Sequence, residues 1–174
     1  FRSEELVSVE KEKYFHGITY GVNLFYMKAD NMIQTVAKKN VNTGELENWG
    51  AEAELSWTIK EHWGISTNHS WLHQENKLVS VPTYKGYLGV DWYSKKHKWM
   101  ASVGLQQLAG LYTAVGKDEQ KENVTLLNAT VKYNLNKYIS LWAKGENLLA
   151  QEYEILAGYP MPKATAMGGV KVSF

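Results

Sequence analysis

The 174 residues contain no cysteine, which excludes disulfides and cysteine-ligated metals. Proline is scarce, and two of its three copies, Pro160 and Pro162, fall in one short stretch near the C-terminus. No sign of charge dominates: the formal net charge is +1, and no basic stripe with interleaved aromatics marks a nucleic-acid surface. No apolar run approaches the roughly 18 residues of a spanning helix. No signal peptide is visible, and the chain starts at Phe1, so a mature chain or a piece of a longer one is expected. The G-x-S-x-G, H-E-x-x-H and P-loop patterns are all missing. Neither an enzyme nor a bound cofactor is expected.

Helical periodicity is scarce too, and alternation takes its place. Nine stretches alternate at about 6–14, 18–28, 49–59, 63–73, 84–93, 99–112, 124–134, 139–149 and 166–174, and a period of two is a strand signal. The third sets Ala51, Ala53, Leu55, Trp57 and Ile59 against Glu52, Glu54, Ser56 and Thr58. The first is poor, because VEKEKY alternates in charge rather than polarity. Tight connections (YFHGIT, TIKEHWG, YSKKHKW, NLNKY) take turns with longer polar ones (QTVAKKNVNTGELEN, QENKLVSVPT, TAVGKDEQKEN, AQEYEILAGYPMPK). This predicts an all-β fold: one antiparallel up-and-down meander of about nine strands, with the short turns at one end.

Trp and Tyr, at 7 and 11 copies, outnumber the 4 Phe, and such amphipathic rings suit a boundary that is apolar on one side and wet on the other. Tyr14, Phe15, Tyr20, Trp57, Trp63, Trp92, Tyr93, Trp99, Tyr133 and Tyr138 flank the tight turns, with Phe174 at the same level. Tyr26, Trp49, Trp71, Tyr84 and Tyr112 stand at the opposite strand ends. Two ring belts separated by strands of about ten residues match the girdles of a transmembrane β-barrel. A soluble lipid-binding barrel fits the alternation equally well. Two features favour lipid outside. The apolar face carries Ala51, Ala53, Ala101, Ala129, Ala143, Ala166 and Gly168, which would fill a core badly. The other face carries Glu52, Glu54, Asp91, Lys132, Lys144, Glu146 and Lys171, the lining of a hydrated lumen.

His69 and His73 share a strand face, but a metal site needs further ligands, so both are read as rim or surface residues and no metal site is expected. His16, His62 and His97 fall in tight turns and are read as solvated. The Asn-x-Ser/Thr patterns at Asn68, Asn123 and Asn128 occur often by chance. The loop QEYEILAGYPMP is the best binding candidate, with Tyr153, Tyr159 and Met161 facing a ligand, because loops on a rigid scaffold carry recognition. The alternative is that Pro160 and Pro162 merely stiffen the turn.

The segment GENLLAQEYEILAGYPMPKATAMGGVKVSF resembles the C-terminus of a TonB-dependent outer-membrane receptor: Asn147-Leu148, Tyr153, Gly158-x-Pro160-x-Pro162, a last alternating strand and a terminal Phe174. Upstream, LFYMKADNMIQTV and NTGELENWGAEAELSWTI are similar to two successive strands of the same barrels. The style looks most like Bacteroidetes receptors for cobalamin, siderophores or haem. Lys163-Ala164 departs from the family's usual Gly-Arg. The resemblance implies a Gram-negative outer-membrane location, contact with membrane lipid, and residues 1–174 as the last nine strands of a 22-stranded barrel. It implies an absent N-terminal plug that engages TonB, and a terminal Phe174 read by the barrel-assembly machinery. The intact protein would import a large scarce nutrient, and this piece alone would not transport. A small structural or adhesive outer-membrane barrel remains the other membrane reading. Nine antiparallel strands put the first and last in one direction. An isolated piece is therefore expected either to close strands two to nine into eight, leaving the first aside, or to pair its edges with another copy.

Overall fold

A computed structural model describes residues 2–15, 17–30, 33–36, 39–42 and 46–173. His16 and Phe174 lie outside them, and Tyr14 and Phe15 are described as backbone only. Nine strands form one sheet in chain order, each antiparallel to its neighbours. They are β1 (Arg2–Phe15), β2 (Ile18–Asp30), β5 (Leu46–Ile59), β6 (Trp63–Gln74), β7 (Tyr84–Tyr93), β8 (Trp99–Ala114), β9 (Gln120–Asn134), β10 (Ile139–Glu146) and β13 (Thr165–Val172). Two small hairpins, β3 (Ile33–Val36) with β4 (Lys39–Asn42) and β11 (Glu154–Leu156) with β12 (Tyr159–Pro160), lie inside long connections read from sequence as plain loops.

The meander is as expected, but the eight-stranded closure does not occur. β1 bonds to β2 from Arg2↔Asp30 to Phe15↔Ile18, so the first strand is not set aside. Among the described residues the sheet is open, with β1 and β13 as its edges. A second correction concerns β10, which ends at Glu146 rather than at Leu149. Asn147 takes a left-handed φ of 48°, which breaks the extended run.

The tight turns have local causes. Gly17, at φ 78°, accepts from the Thr58 amide through its carbonyl at 2.9 Å. Ser94 Oγ accepts the Trp99 amide at 2.8 Å, closing the turn around Lys95–His97. Asn136 Oδ1 accepts the amides of Tyr138 and Ile139, both at 2.8 Å. At the other end, β8 bulges between Leu108 and Leu111. There Gly110 holds φ 65° and its amide donates to Asn123 Oδ1 at 2.9 Å. A methyl group at Gly110 would collide with the Thr83 hydroxyl, which donates to Ala109 O at 3.2 Å. Gly110→Ala is therefore expected to destabilise the fold by about 2 kcal/mol, read as a lower unfolding midpoint in detergent. An unchanged midpoint would remove the bulge from the set of structural determinants.

The register sorts the side chains into two faces. One row runs Tyr20–Leu55–Thr67–Leu88–Leu105–Leu127, and the parallel row Ile65–Val90–Val103–Ala129 lies beside it. Most of the large apolar residues of this face are exposed. The opposite face carries Glu52, Glu54, Asp91, Lys132, Lys144, Glu146 and Lys171, as alternation predicts. Rings on this polar face lie over glycines: Phe25 over Gly50, Tyr87 over Gly89 and Gly104, and Trp142 over Gly169. Tyr93 belongs here as well, paired with Met100, and not to the apolar belt expected from its place beside a turn.

Buried apolar residues are few among the described residues, namely Ala29, Leu78, Leu111 and Val124, all toward the looped end, where Ala29 and Leu78 pack together. The chain exposes 12158 Å². A soluble monomer of this mass exposes about 8600 Å². The surplus is apolar face and open wall, which a soluble barrel would have hidden.

Candidate functional site

Three long connections meet at the looped end. The segment between β10 and β13 is tied down by Asn147, which is buried. Its Nδ2 donates to Gln151 O at 2.8 Å and Pro162 O at 3.1 Å, and its Oδ1 accepts the Gln151 amide at 3.0 Å. One side chain thus clasps both ends of the loop. The Asn147 amide donates to Asn128 Oδ1 at 2.9 Å, and Gln151 Oε1 accepts the Thr125 amide at 2.6 Å, so the clasp is fixed to β9.

Beyond the clasp the β11–β12 hairpin leans on its neighbours. Gly158 turns it at φ 82°, its amide donating to Glu154 Oε2 at 2.7 Å. The Ala157 amide donates to Thr113 O on β8 at 3.0 Å, and the Glu154 amide to Glu122 Oε2 on β9 at 3.0 Å. Ser80, in the connection between β6 and β7, donates its hydroxyl to Ile155 O at 2.9 Å and its amide to Tyr112 O at 2.8 Å. Lys77 pairs with Glu119 at 2.7 Å, joining two loops, and both Lys77 and Lys121 lie over the Tyr112 ring. Leu78 packs with Ala29, Met27 and Val81 beneath. The rim is a bonded layer.

The sequence-predicted residues sit on this layer unequally. Tyr159 is the most exposed large hydrophobic residue of the rim at 68%. Tyr153 is half-buried, and its carbonyl accepts the Met161 amide at 2.9 Å, which brings these two together. Burial, and then the negative Glu146, hold the Tyr153 phenol above its ordinary pKa, so it stands protonated as a hydrogen-bond donor at neutral pH. Pro162 also serves through its backbone, since its carbonyl is an anchor for Asn147. The Asn128 and Gln151 partners of the clasp have no signature in local sequence.

The apolar face has a belt at each end. Trp63 and Trp92 (centroids 6.5 Å apart) and Trp99 and Tyr133 (4.4 Å) mark the tight-turn end. Trp49 with His73 (5.0 Å), and Trp71 with His69 and Tyr84, mark the looped end. The histidines are thus belt members. Thr67 donates its hydroxyl proton to Tyr87 O at 2.7 Å, so it accepts from His69 Nε2–H at 2.9 Å, and His69 Nδ1 and the Tyr84 hydroxyl share a hydrogen bond at 2.7 Å. No group of acidic and histidine residues able to hold a metal ion occurs among the described residues. On the polar face, Asn23 Nδ2 donates to Glu52 Oε2 at 3.2 Å, and Glu54, Asn68, Ser70 and Lys85 line the same open groove.

A family model described as "TonB dependent receptor-like, beta-barrel" matches residues 7–148. The chain belongs to this TonB-dependent receptor-like β-barrel family. Solved structures agree on the fold. The receptor chain is similar to the copper transporter OprC (TM-score 0.79, 15% identity, 97% of this chain and 31% of that one). It is similar to the ferric yersiniabactin uptake receptor FyuA from Yersinia pestis (0.79, 14%, 97% and 29%). It is also similar to a mutant of the ferric enterobactin receptor PfeA from Pseudomonas aeruginosa (0.75, 16%, 97% and 31%). No curated protein matches the receptor chain by sequence. It spans less than a third of the length of these three structures. The family and its relatives are receptors and transporters, not enzymes.

Proposed function

We propose that the chain is the C-terminal part of an outer-membrane transporter barrel, lying in the outer membrane of a Gram-negative bacterium. On this reading the ring-belted face meets lipid and the polar face lines the lumen. The looped rim faces outward, and the tight turns face the periplasm. The observation that carries it is the 12158 Å² of exposed surface, most of its apolar part bounded by two ring belts. The cargo is a large scarce nutrient of the cobalamin, iron–siderophore or haem kind, taken up with TonB acting through a plug outside this chain. Siderophore receptors and a copper transporter among the fold relatives support the class. Tyr153, Tyr159 and Met161 are proposed as ligand contacts on the rim, and Phe174 as the residue read by the assembly machinery.

The test is ligand binding by the intact receptor with Tyr159→Ala and Tyr153→Ala. Each is expected to weaken binding of the cognate nutrient about tenfold or more, as truncation of an interface tyrosine does, while the folded yield stays the same. Unchanged affinity in both variants, against a ligand the unaltered receptor binds, would sink the assignment of these tyrosines.

A further inference from the structure

The strand turns at the tight end are basic, and the connections at the other end are not. Residues 60–62, 94–98 and 135–138 carry Lys60, Lys95, Lys96, Lys98 and Lys137 against one carboxylate, Glu61. None of the five lysines has an ion pair among the described residues. At the looped end, residues 75–83, 115–119 and 147–164 carry three lysines against five carboxylates. Lys77 pairs there with Glu119, and Lys163 with Glu152. Unpaired charge of one sign gathered at one end draws anions to it.

Two of these lysines stand where lysine is disfavoured. Lys60 holds φ 52° and Lys96 φ 61°, with His97 beside it at 51°. Left-handed backbone crowds a Cβ, and glycine takes it at less cost. The β7–β8 turn is held in this shape from β9, where Asn134 donates its amide to Lys98 O at 2.8 Å and its Nδ2 to His97 O at 2.7 Å. Reversing the chain needs no ammonium, so the two lysine side chains answer to something outside the turn.

Depth selects the kind of anion. Lys60, Lys95, Lys96 and Lys98 each lie within three residues of Trp57, Trp63, Trp92 or Trp99, the belt rings at this end. Belt rings sit at headgroup level, and the headgroup layer is about 5–7 Å deep on each side of the bilayer. Lys98 joins ring and charge: its ammonium lies 5.4 Å from the centre of the Tyr133 ring, which packs on Trp99 at 4.4 Å on the apolar face. Below these rings Val103, Val131 and Leu141 are exposed, a path for acyl chains. Lys96, Lys98 and Lys137 border one pocket of about 490 Å³. Lys132 and Lys171, which also line it, belong to the polar face and take no part. A free phosphate would use the ammoniums and leave the rings and the apolar path unused.

We propose that the tight-turn rim binds the headgroups of anionic glycerophospholipids in the adjoining leaflet, with Lys96, Lys98 and Lys137 on the phosphate and Trp99 and Tyr133 against the glycerol and acyl chains. This rests on the ring-belted face being the lipid-facing one. The test is native mass spectrometry of the intact receptor in detergent, which counts bound lipids, with phosphatidylglycerol or phosphatidylcholine added. Phosphatidylglycerol is expected to bind about tenfold more tightly, since each lysine near an anionic headgroup adds to binding. The triple variant Lys96→Gly/Lys98→Gln/Lys137→Gln removes three ammoniums and relieves the backbone at position 96. It is expected to lose the preference while remaining heat-modifiable on gels. Lys77→Gln/Lys117→Gln/Lys163→Gln, at the looped end, is expected to keep it.

A heat-modifiable receptor with no preference, or with one that survives the turn variant, overturns the headgroup site alone. Loss of the preference in the looped-end variant instead moves the lipid to the other rim and overturns it too. Displacement of phosphatidylglycerol by an equal concentration of inorganic phosphate overturns it in favour of a small anion. A receptor with no heat-modifiable state overturns the barrel reading, and the headgroup site with it.

Discussion

Replacing Asn147 by alanine is expected to destabilise the looped rim by about 3–5 kcal/mol and to free the β10–β13 loop. The side chain is buried and makes three hydrogen bonds, two to the carbonyls of Gln151 and Pro162 and one from the Gln151 amide. Alanine leaves those groups without partners beneath the loop, and an unmet buried polar group costs about 1–3 kcal/mol. It also forces a residue with little tolerance for left-handed backbone into φ 48°. Asn147→Asp keeps the acceptor and the backbone tolerance but cannot donate to the two carbonyls. It separates the donor loss from the rest. The measurement is the denaturant midpoint of the intact receptor, with protease cleavage of the 147–164 loop as a local readout. Leu149→Ala, at an exposed neighbour, is expected to stay within about 0.5 kcal/mol. If Asn147→Ala behaves like Leu149→Ala, the clasp is not what holds the loop.

The second large effect separates the two faces. Leu105 pairs with Leu88, which stands midway between the belt residues Tyr84 and Trp92, and its neighbour Gln106 faces the other way. Leu105→Arg is expected to cost about 2–4 kcal/mol on folding into lipid vesicles, the value for arginine at mid-bilayer depth. Gln106→Arg, one residue away, should change folding little, because it meets water or other polar groups. Folded fraction by heat-modifiable migration reads both. A soluble protein with Leu105 facing water would tolerate the first substitution within about 0.5 kcal/mol, and that result would end the membrane reading.

How much of this was legible in the sequence follows from the range of each interaction. The sheet was legible because period 2 repeats over ten residues or more, as in Ala51 to Ile59 against Glu52 to Thr58. The hairpins β3–β4 and β11–β12 were not, because strands of four, three and two residues are too short to show a period. Leu148 and Leu149 prolonged the eighth strand in the reading, where Asn147 ends it by backbone angle and side-chain bonds. Tyr93 was misassigned by position beside a turn, whereas parity along β7 puts it on the polar face. The proposed rim contacts Tyr153, Tyr159 and Met161 rest on the loop that carries them. Their support from Ser80, Thr113 and Glu122 comes from strands far away in the chain and leaves no local mark.

The open edges have a symmetry consequence. β1 and β13 run in the same direction, being the first and ninth strands of an antiparallel series. Two copies inserted the same way into one membrane would therefore meet strand to strand with like polarity, whichever edges they offered. Only a two-fold axis lying in the membrane plane makes such a joint antiparallel, and that axis turns one copy upside down. The tight turns of one would then stand where the loops of the other belong. Edge-to-edge pairing of like-oriented copies is thus restricted to parallel ladders, and an antiparallel neighbour for either edge must be a strand of opposite heading.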